Sequence, residues 1–223
     1  EPQPIWNAIA ARDPDVFLFL GDAIYGDWHG KEVFTPTPES LLADWQGLAE
    51  IPEFKAFREQ VPILATWDNH DYGKHDGGAE FALKDVSKDI FLDFFEEPAG
   101  TNRRKRPGIY DARMFGPEGK RLQIILLDCR SFKSPYVIDR RSEEKKAALN
   151  IRGQYLPNPD PEAAMLGYVQ QKDAAHWFGQ IESRFQQEAV KHCYDQKRGF
   201  PEEQSMAPLN SRLSRHQFEG NEI

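Results

Sequence analysis

Two short polar blocks in this sequence carry residue types that bind metal ions or move protons. The first is GDAIY, Gly21 to Tyr25, and the second is WDNHD, Trp67 to Asp71. Together they offer carboxylate, phenol, amide and imidazole groups, which are ligands for hard and borderline cations. A carboxylate can also bridge two ions about 3.5–4 Å apart, as in two-metal phosphoryl-transfer sites. The blocks therefore suit a metal site, with His70 available to protonate a leaving oxygen.

Each block follows an apolar run of strand length. The run PDVFLFL precedes the first block, and VPILAT precedes the second. Continuous apolar runs of this length are typical of strands buried in a sheet. A glycine at position 21 would let the backbone turn sharply, so that Asp22 projects into a crevice at the end of its strand. We therefore expect Asp22 to meet Asn69 and His70, which follow the next strand.

Each block taken alone also fits a simpler interpretation. A Gly-Asp pair after a strand is commonly only a turn, and a single loop histidine usually lies at the surface or in a hydrogen bond. Asp68, Asp71 and Asp76 could cap turns. The occurrence of two such endings on consecutive predicted strands favours a site over two unrelated turns.

The elements around these strands predict an α/β domain with helices packed on a sheet. A first helix would begin near Pro4 and present Ile5, Ala8 and Ile9 on one face. A second helical stretch would start at the N-cap Thr37 and be divided by Pro52. The segment ALKDVSKDIFLDFFEEP predicts an amphipathic helix, and GIYDARMFGP and KRLQIILLDCRS predict a hairpin. The apolar stripe expected on the amphipathic helix consists of Val86, Ile90, Leu92, Phe94 and Phe95.

The pattern weakens after residue 135. We predict a core domain over residues 1–135, followed over 136–223 by a loop-rich, helical segment. Helical spacing within that segment is carried by Trp177, Ile181, Phe185 and Val190.

Composition limits the classes of function. The net charge of −8 argues against a nucleic-acid backbone binder, because such proteins need clustered Lys and Arg. The one basic cluster, NRRKRPG from Asn102 to Gly108, is interpreted as a solvated loop. The two cysteines, Cys129 and Cys193, do not make a disulfide framework. No apolar run approaches the roughly 18 residues of a membrane span. The opening EPQPIW lacks Met and shows no signal peptide, which suggests a processed or truncated product whose location is not readable.

The two blocks resemble the strand ends of calcineurin-like metallophosphoesterases, and more closely the PhoD-like alkaline phosphatase family. That family carries Gly-Asp-x-x-Tyr, then Trp-Asp-(Asp or Asn)-His-(Asp or Glu), then a Leu-Leu-Asp-x-Arg strand end. All three occur here in order, the last at Leu126 to Arg130. The similarity covers roughly residues 1–135, with an echo in MLGYVQQKDAAHWF. It implies an incomplete αββα sandwich as the fold.

The resemblance implies a role for each matching position. Asp22 would bridge two metal ions, Tyr25 would bind a ferric ion, and Asn69 would bind the second ion, which is Ca, Zn or Mn. His70 would contact the phosphate or the leaving group. Arg130 would either grip the substrate or form a structural ion pair with Asp128. The residues expected around the ligands, where they would orient them, are Asp68, Asp71 and Tyr72.

The implied activity is hydrolysis of a phosphomonoester or phosphodiester by metal-activated water. No nucleophilic serine motif ends a predicted strand, so no covalent phosphoenzyme is expected. The expected substrates are small-molecule or lipid phosphoesters, and no binding to a nucleic-acid scaffold is expected. The resemblance leaves a secreted or membrane-associated location open.

The sequence also departs from the family pattern. Members are expected to have a further ligand strand before the first helix and a Gly-Asp-x-His strand end after Arg130, and neither occurs. His176, His192 and His216 follow no apolar run, and Ala23 replaces a residue that often contacts phosphate. About three matched ligands remain where a two-metal site needs about six. Two alternatives therefore stay open: a truncated or inactive relative acting as a binding module, and an unrelated α/β protein whose loops only cap strands.

Overall fold

The computed structural model describes residues 1–30, 32–117, 120 and 122–178, without the side chains of 175–178. The described residues divide into two compact units, 1–137 with 157–178 and 138–156. The helices are α1 Ile5–Ala10, α2 Pro38–Ala49, α3 Pro52–Gln60, α4 Asn69–Tyr72, α5 Lys84–Phe94, α6 Asn102–Lys105, α7 Glu143–Ala148 and α8 Tyr168–Phe178. The strands are β1 Phe17–Phe19, β2 Trp28–His29, β3 Glu32–Val33, β4 Ile63–Ala65, β5 Asp111–Phe115, β6 Leu122–Leu126, β7 Val137–Ile138 and β8 Tyr155–Leu156.

The described strands form four two-stranded sheets. β1 and β4 are parallel, with Phe19 opposite Ala65. β2 pairs with β3, and β5 with β6, in antiparallel hairpins. This mixed α/β fold with a partial sheet core confirms the predicted fold class, including the hairpin after the basic segment. The β2–β3 hairpin and the short helices α4 and α6 were not predicted.

The core of the first unit is rich in aromatic side chains. Trp6 from α1 lies 5.0 Å from Phe54 and 5.2 Å from Phe57, measured between ring centroids, and both phenylalanines belong to α3. Trp45 from α2 packs edge-to-face on Phe91 from α5 at 5.7 Å. Such pairs add to the stabilisation from burying the rings. This core holds the helices against the β1–β4 sheet.

Two predicted helix faces differ from the structure at particular positions. In α1 the expected face was wrong, since Ile5 is 57% exposed whereas Trp6 is buried. The indole buries more apolar area than the isoleucine side chain, so it sets the rotation of this short helix. In α5, Leu92 is buried and Ile90, Phe94 and Phe95 pack against the core as predicted, whereas Val86 is exposed and the unpredicted Phe91 is buried. Both helices were predicted at the correct place in the chain.

Strands β1 and β4 are less buried than predicted. Only Phe19 and Ala65 are fully buried within them, and Leu20, just after β1, is exposed. Each strand has one hydrogen-bonded neighbour in its two-stranded sheet, so the sheet has open edges. The apolar runs identified the strands correctly but overstated their burial.

The basic segment from Asn102 to Gly108 is structural, which contradicts its interpretation as a solvated loop. Its first part is α6, and the Arg103 side chain is buried. Arg103 donates hydrogen bonds to the carbonyl oxygens of Ala65 at 2.6 Å and Ile109 at 2.7 Å, and lies 3.5 Å from the Glu97 carboxylate. A buried charge is stable only with such partners. Arg103 therefore ties α6 to the end of β4.

Helix boundaries follow the predicted signals. The Thr37 hydroxyl accepts the Ser40 backbone N–H at the start of α2, and Pro52 begins α3. In the second unit, Ser142 caps α7 in the same way. Among the described residues no helix is long and apolar enough to cross a membrane.

Candidate active site

The two polar blocks meet at the carboxyl ends of β1 and β4. Gly21 has a φ of +118°, and a Cβ added there would lie 2.5 Å from the Cβ of Asp68. No L side chain fits this conformation at that distance. Glycine is therefore required at position 21 by the turn, as predicted, and also by the close approach of the two loops.

Asp71 holds the two loops together. Its carboxylate accepts backbone N–H groups from Ala23 at 2.8 Å, Ile24 at 3.1 Å and Asp68 at 3.0 Å, and also from Asp22. Burial raises the pKa of Asp71 to about 6, while these hydrogen bonds act in the opposite direction. Asp71 thus fixes the backbone of the two loops relative to each other.

Asp22 projects from a left-handed backbone position with φ of 55°. Partial burial raises the pKa of its carboxyl group, and the nearby charge of Asp68 raises it further. A site that crowds two carboxylates favours a cation, because a positive charge would relieve their repulsion.

His70 forms a short hydrogen bond with a buried carboxylate. Its Nδ1 lies 2.6 Å from Oδ1 of Asp27, and both residues are buried. This contact fixes the imidazole and directs Nε2 away from the carboxylate. The other oxygen, Oδ2 of Asp27, is buried and has no hydrogen-bond partner among the described residues.

A group able to hold a metal ion surrounds this contact. Asp27, His70 and His75 each offer a ligand atom, and these atoms lie within 4.8 Å of one another. The amide of Asn69 lies 3.4 Å from Nδ1 of His75. Two ligand atoms that each lie about 2.1 Å from one tetrahedral ion are about 3.4 Å from each other. Nδ1 of His70 and Oδ1 of Asp27 are only 2.6 Å apart, so they share a hydrogen bond and do not both bind one ion. An ion would therefore draw on the other ligand atoms of the group.

Arg130 ends the third motif and contacts the second block. Its Nε lies 2.6 Å from Oδ1 of Asp68, and Nη2 also binds that oxygen. From Arg130, Asp128 accepts only the backbone N–H, and the described ion pair of Arg130 is with Asp68, so the alternative of an ion pair with Asp128 was wrong. The Asp128 carboxylate is used elsewhere, by the Trp67 indole, Ile109 and other donors. The rest of the Arg130 guanidinium is buried, and it interacts with the Tyr136 side chain.

The sequence motifs and this geometry agree with a comparison to known families. A model of the PhoD-like phosphatase family matches residues 3–187. This chain belongs to that family. The match runs beyond residue 135 and includes the segment Met165 to Phe178.

A solved structure of PhoD has the same fold, with a TM-score of 0.55 and 16% sequence identity. The alignment covers 78% of this chain and 36% of the PhoD chain, so this chain spans little more than a third of that protein's length. None of the curated protein sequences matches it.

Of the eight site residues predicted from the PhoD-like motifs, seven lie around the two loops. They are Asp22, Tyr25, Asp68, Asn69, His70, Asp71 and Arg130. Tyr72 differs, because it is fully buried between Trp67 and Phe81 and donates its hydroxyl to the Gly78 carbonyl at 2.8 Å. Burial also raises the pKa of this phenol above its usual value. Tyr72 supports α4 from the core.

Sequence reasoning missed Asp27 and His75. Asp27 belongs to a second Gly-Asp pair, Gly26-Asp27, and lies five positions after Asp22, while His75 follows His70 at the same spacing. These repeats were the available signal. Of the other histidines considered, His176 lies in α8 with its side chain outside the described residues, and His192 and His216 lie outside them altogether.

Proposed function

We propose that this PhoD-like phosphatase family member hydrolyses phosphoesters in a metal-dependent reaction, as a phosphatase or phosphodiesterase of the calcineurin-like type. The observation that carries the proposal is the buried contact between His70 and Asp27, beside Asp22 and Asn69 where β1 and β4 end. A general acid needs a fixed imidazole close to ligands that bind phosphate, and this arrangement supplies both. Substrates would be small-molecule or lipid phosphoesters.

The donor set fits a metal ion. The unpartnered Oδ2 of Asp27 is a buried oxygen that lacks a donor, and such an atom is costly unless a cation or hydrogen bond satisfies it. Asp22, Tyr25 and Asn69 would hold the two ions implied by the motifs, Fe with Ca, Zn or Mn. Asp27 and His75 add ligand atoms that the motifs do not include. When bound, the ions would polarise the phosphoryl oxygen and lower the pKa of water.

The protein's own residues would then orient the substrate and move the proton. Asp27 accepts the Nδ1–H of His70, which leaves Nε2 to donate a proton to the departing ester oxygen. Arg130 holds Asp68 through Nε and Nη2, and its guanidinium, which also interacts with the Tyr136 side chain, would donate to a phosphate oxygen. All of these residues lie within 1–135, the predicted phosphatase core.

We expect hydrolysis of p-nitrophenyl phosphate or its bis-ester to disappear after treatment with a chelator and to return with added metal. Asp22→Asn should reduce the metal-restored rate by at least about a hundredfold, because a neutral amide cannot bridge two cations. The matched control is Asp89→Asn, an exposed position in α5 where the same charge is removed. Chelator-resistant turnover, or an Asp22→Asn variant as active as the control, would show that the reaction does not use this site.

The alternative is a family member that binds without catalysis. It draws support from the small ligand group in the described residues and from the 36% of the PhoD chain that this chain covers. Folded protein that neither retains metal nor turns over either substrate would favour it.

A further inference from the structure

Two aromatic rings flank the imidazole of His70. The Tyr25 ring centroid lies 4.4 Å from that of His70 with a 30° interplanar angle, and the Trp28 centroid lies 5.8 Å away at 57°. Tyr25 is 50% exposed and Trp28 is 38% exposed. By contrast, Trp6, Trp45 and Trp67 are buried. The candidate catalytic histidine is therefore bordered by aromatic surface that is open to a ligand.

The Trp28 ring is held in place. Its indole N–H donates to the Gly30 carbonyl at 2.8 Å, and its backbone N–H donates to the Tyr25 carbonyl at 3.0 Å. These two bonds fix both the ring and the turn that carries it. A ring fixed before binding loses little conformational entropy when a ligand stacks on it.

The hairpin that carries Trp28 is anchored at both ends. The Phe34 backbone N–H donates to the Asp27 carbonyl at 3.0 Å, just after β3. The imidazole of His29 contacts the Asp44 carboxylate of α2 at 3.1 Å. Because Asp27 also binds His70, the position of the aromatic surface is coupled to that of the imidazole.

We propose that Trp28, with Tyr25, forms a leaving-group subsite that favours phosphoesters of planar aromatic alcohols over those of small aliphatic alcohols. This inference rests on the proposed function for its choice of ligand. An aryl group stacked on Trp28 would place its ester oxygen beside His70, whereas a methyl group offers no face to stack. Stacking on an exposed indole corresponds to about a tenfold difference in affinity.

The test is calorimetric binding of two non-hydrolysable probes, 1-naphthylphosphonate and methylphosphonate, to metal-supplemented full-length chain. We expect the wild type to bind the naphthyl probe at least about tenfold more tightly. Trp28→Ala should reduce that ratio to within about threefold, and Trp28→Phe should keep most of it. The matched control is Phe115→Ala at the end of β5, since Phe115 is exposed to a similar extent, 40%.

A wild-type ratio near one, or an unchanged ratio in Trp28→Ala, would overturn the subsite. Trp28→Phe keeps the test valid if the alanine variant does not fold. Rates with p-nitrophenyl phosphate separate the two claims. If the protein prefers the aryl probe but turns over no substrate, only the proposed function is contradicted. If it turns over substrate without preferring the aryl probe, only the subsite is contradicted. Failure to bind either probe would contradict both.

Discussion

His70→Ala should lower kcat/KM for phenyl phosphate by about 10²–10⁴-fold, the usual contribution of a positioned general acid. The imidazole is buried and fixed by Asp27 at 2.6 Å, so alanine removes both the proton donor and its orientation. The penalty should be smaller with p-nitrophenyl phosphate, because a good leaving group needs less protonation. Steady-state kinetics with the two esters measures this difference directly.

Asp27→Asn provides the matched variant for this prediction. Its amide keeps the size of the side chain but removes the negative charge that supports a protonated imidazole. Because Asp27 is also proposed to bind an ion, the rates are compared at saturating metal, where this variant should show a smaller loss than His70→Ala with the same dependence on the leaving group. An equal loss for both esters in His70→Ala would mean that the histidine acts by binding, and no loss would remove it from the mechanism.

Asp71→Asn should lower the free energy of unfolding of the first unit by about 2–6 kcal/mol. The Asp71 carboxylate accepts four backbone N–H groups from the two loops. An asparagine amide presents one oxygen, so about two donors lose their partner, at about 1–3 kcal/mol each. Urea denaturation followed by tryptophan fluorescence suits this measurement, because Trp6, Trp45 and Trp67 are buried in the same unit.

The control for that experiment is Asp93→Asn. Asp93 is 72% exposed and makes an ion pair with Arg104 at 2.8 Å. Exposed pairs of this kind contribute about 0–1 kcal/mol. If Asp71→Asn destabilised the protein no more than this control, the carboxylate would not be what joins the loops.

The sequence was sufficient to predict where the two strands end and in which order the polar blocks follow them. Gly21 and the polar blocks follow apolar runs, and parallel strands bring their carboxyl ends to one edge, so the meeting of Asp22 with His70 followed from local pattern alone. Boundaries of α2 and α3 were also readable, because Thr37 and Pro52 act through their immediate neighbours.

What the sequence did not show depends on contacts between distant residues. Arg103 looked like part of a charged loop, since its partners Ala65 and Glu97 lie elsewhere in the chain. The choice of Asp68 over Asp128 as the partner of Arg130 depends on how the ends of β4 and β6 pack. The role of Asp27 in the site depends on the contact of its carboxylate with His70, which lies far along the chain.

The central claim is that the loops after β1 and β4 form a metal site, and counting bound metal tests it most directly. Mass spectrometry of the purified, folded chain should find about one to two ions of Fe, Zn, Mn or Ca per molecule. In the double variant Asp22→Asn with Asp27→Asn, the count should fall close to zero. A folded wild-type chain that holds no ion, even after incubation with each metal and removal of excess, would contradict the account.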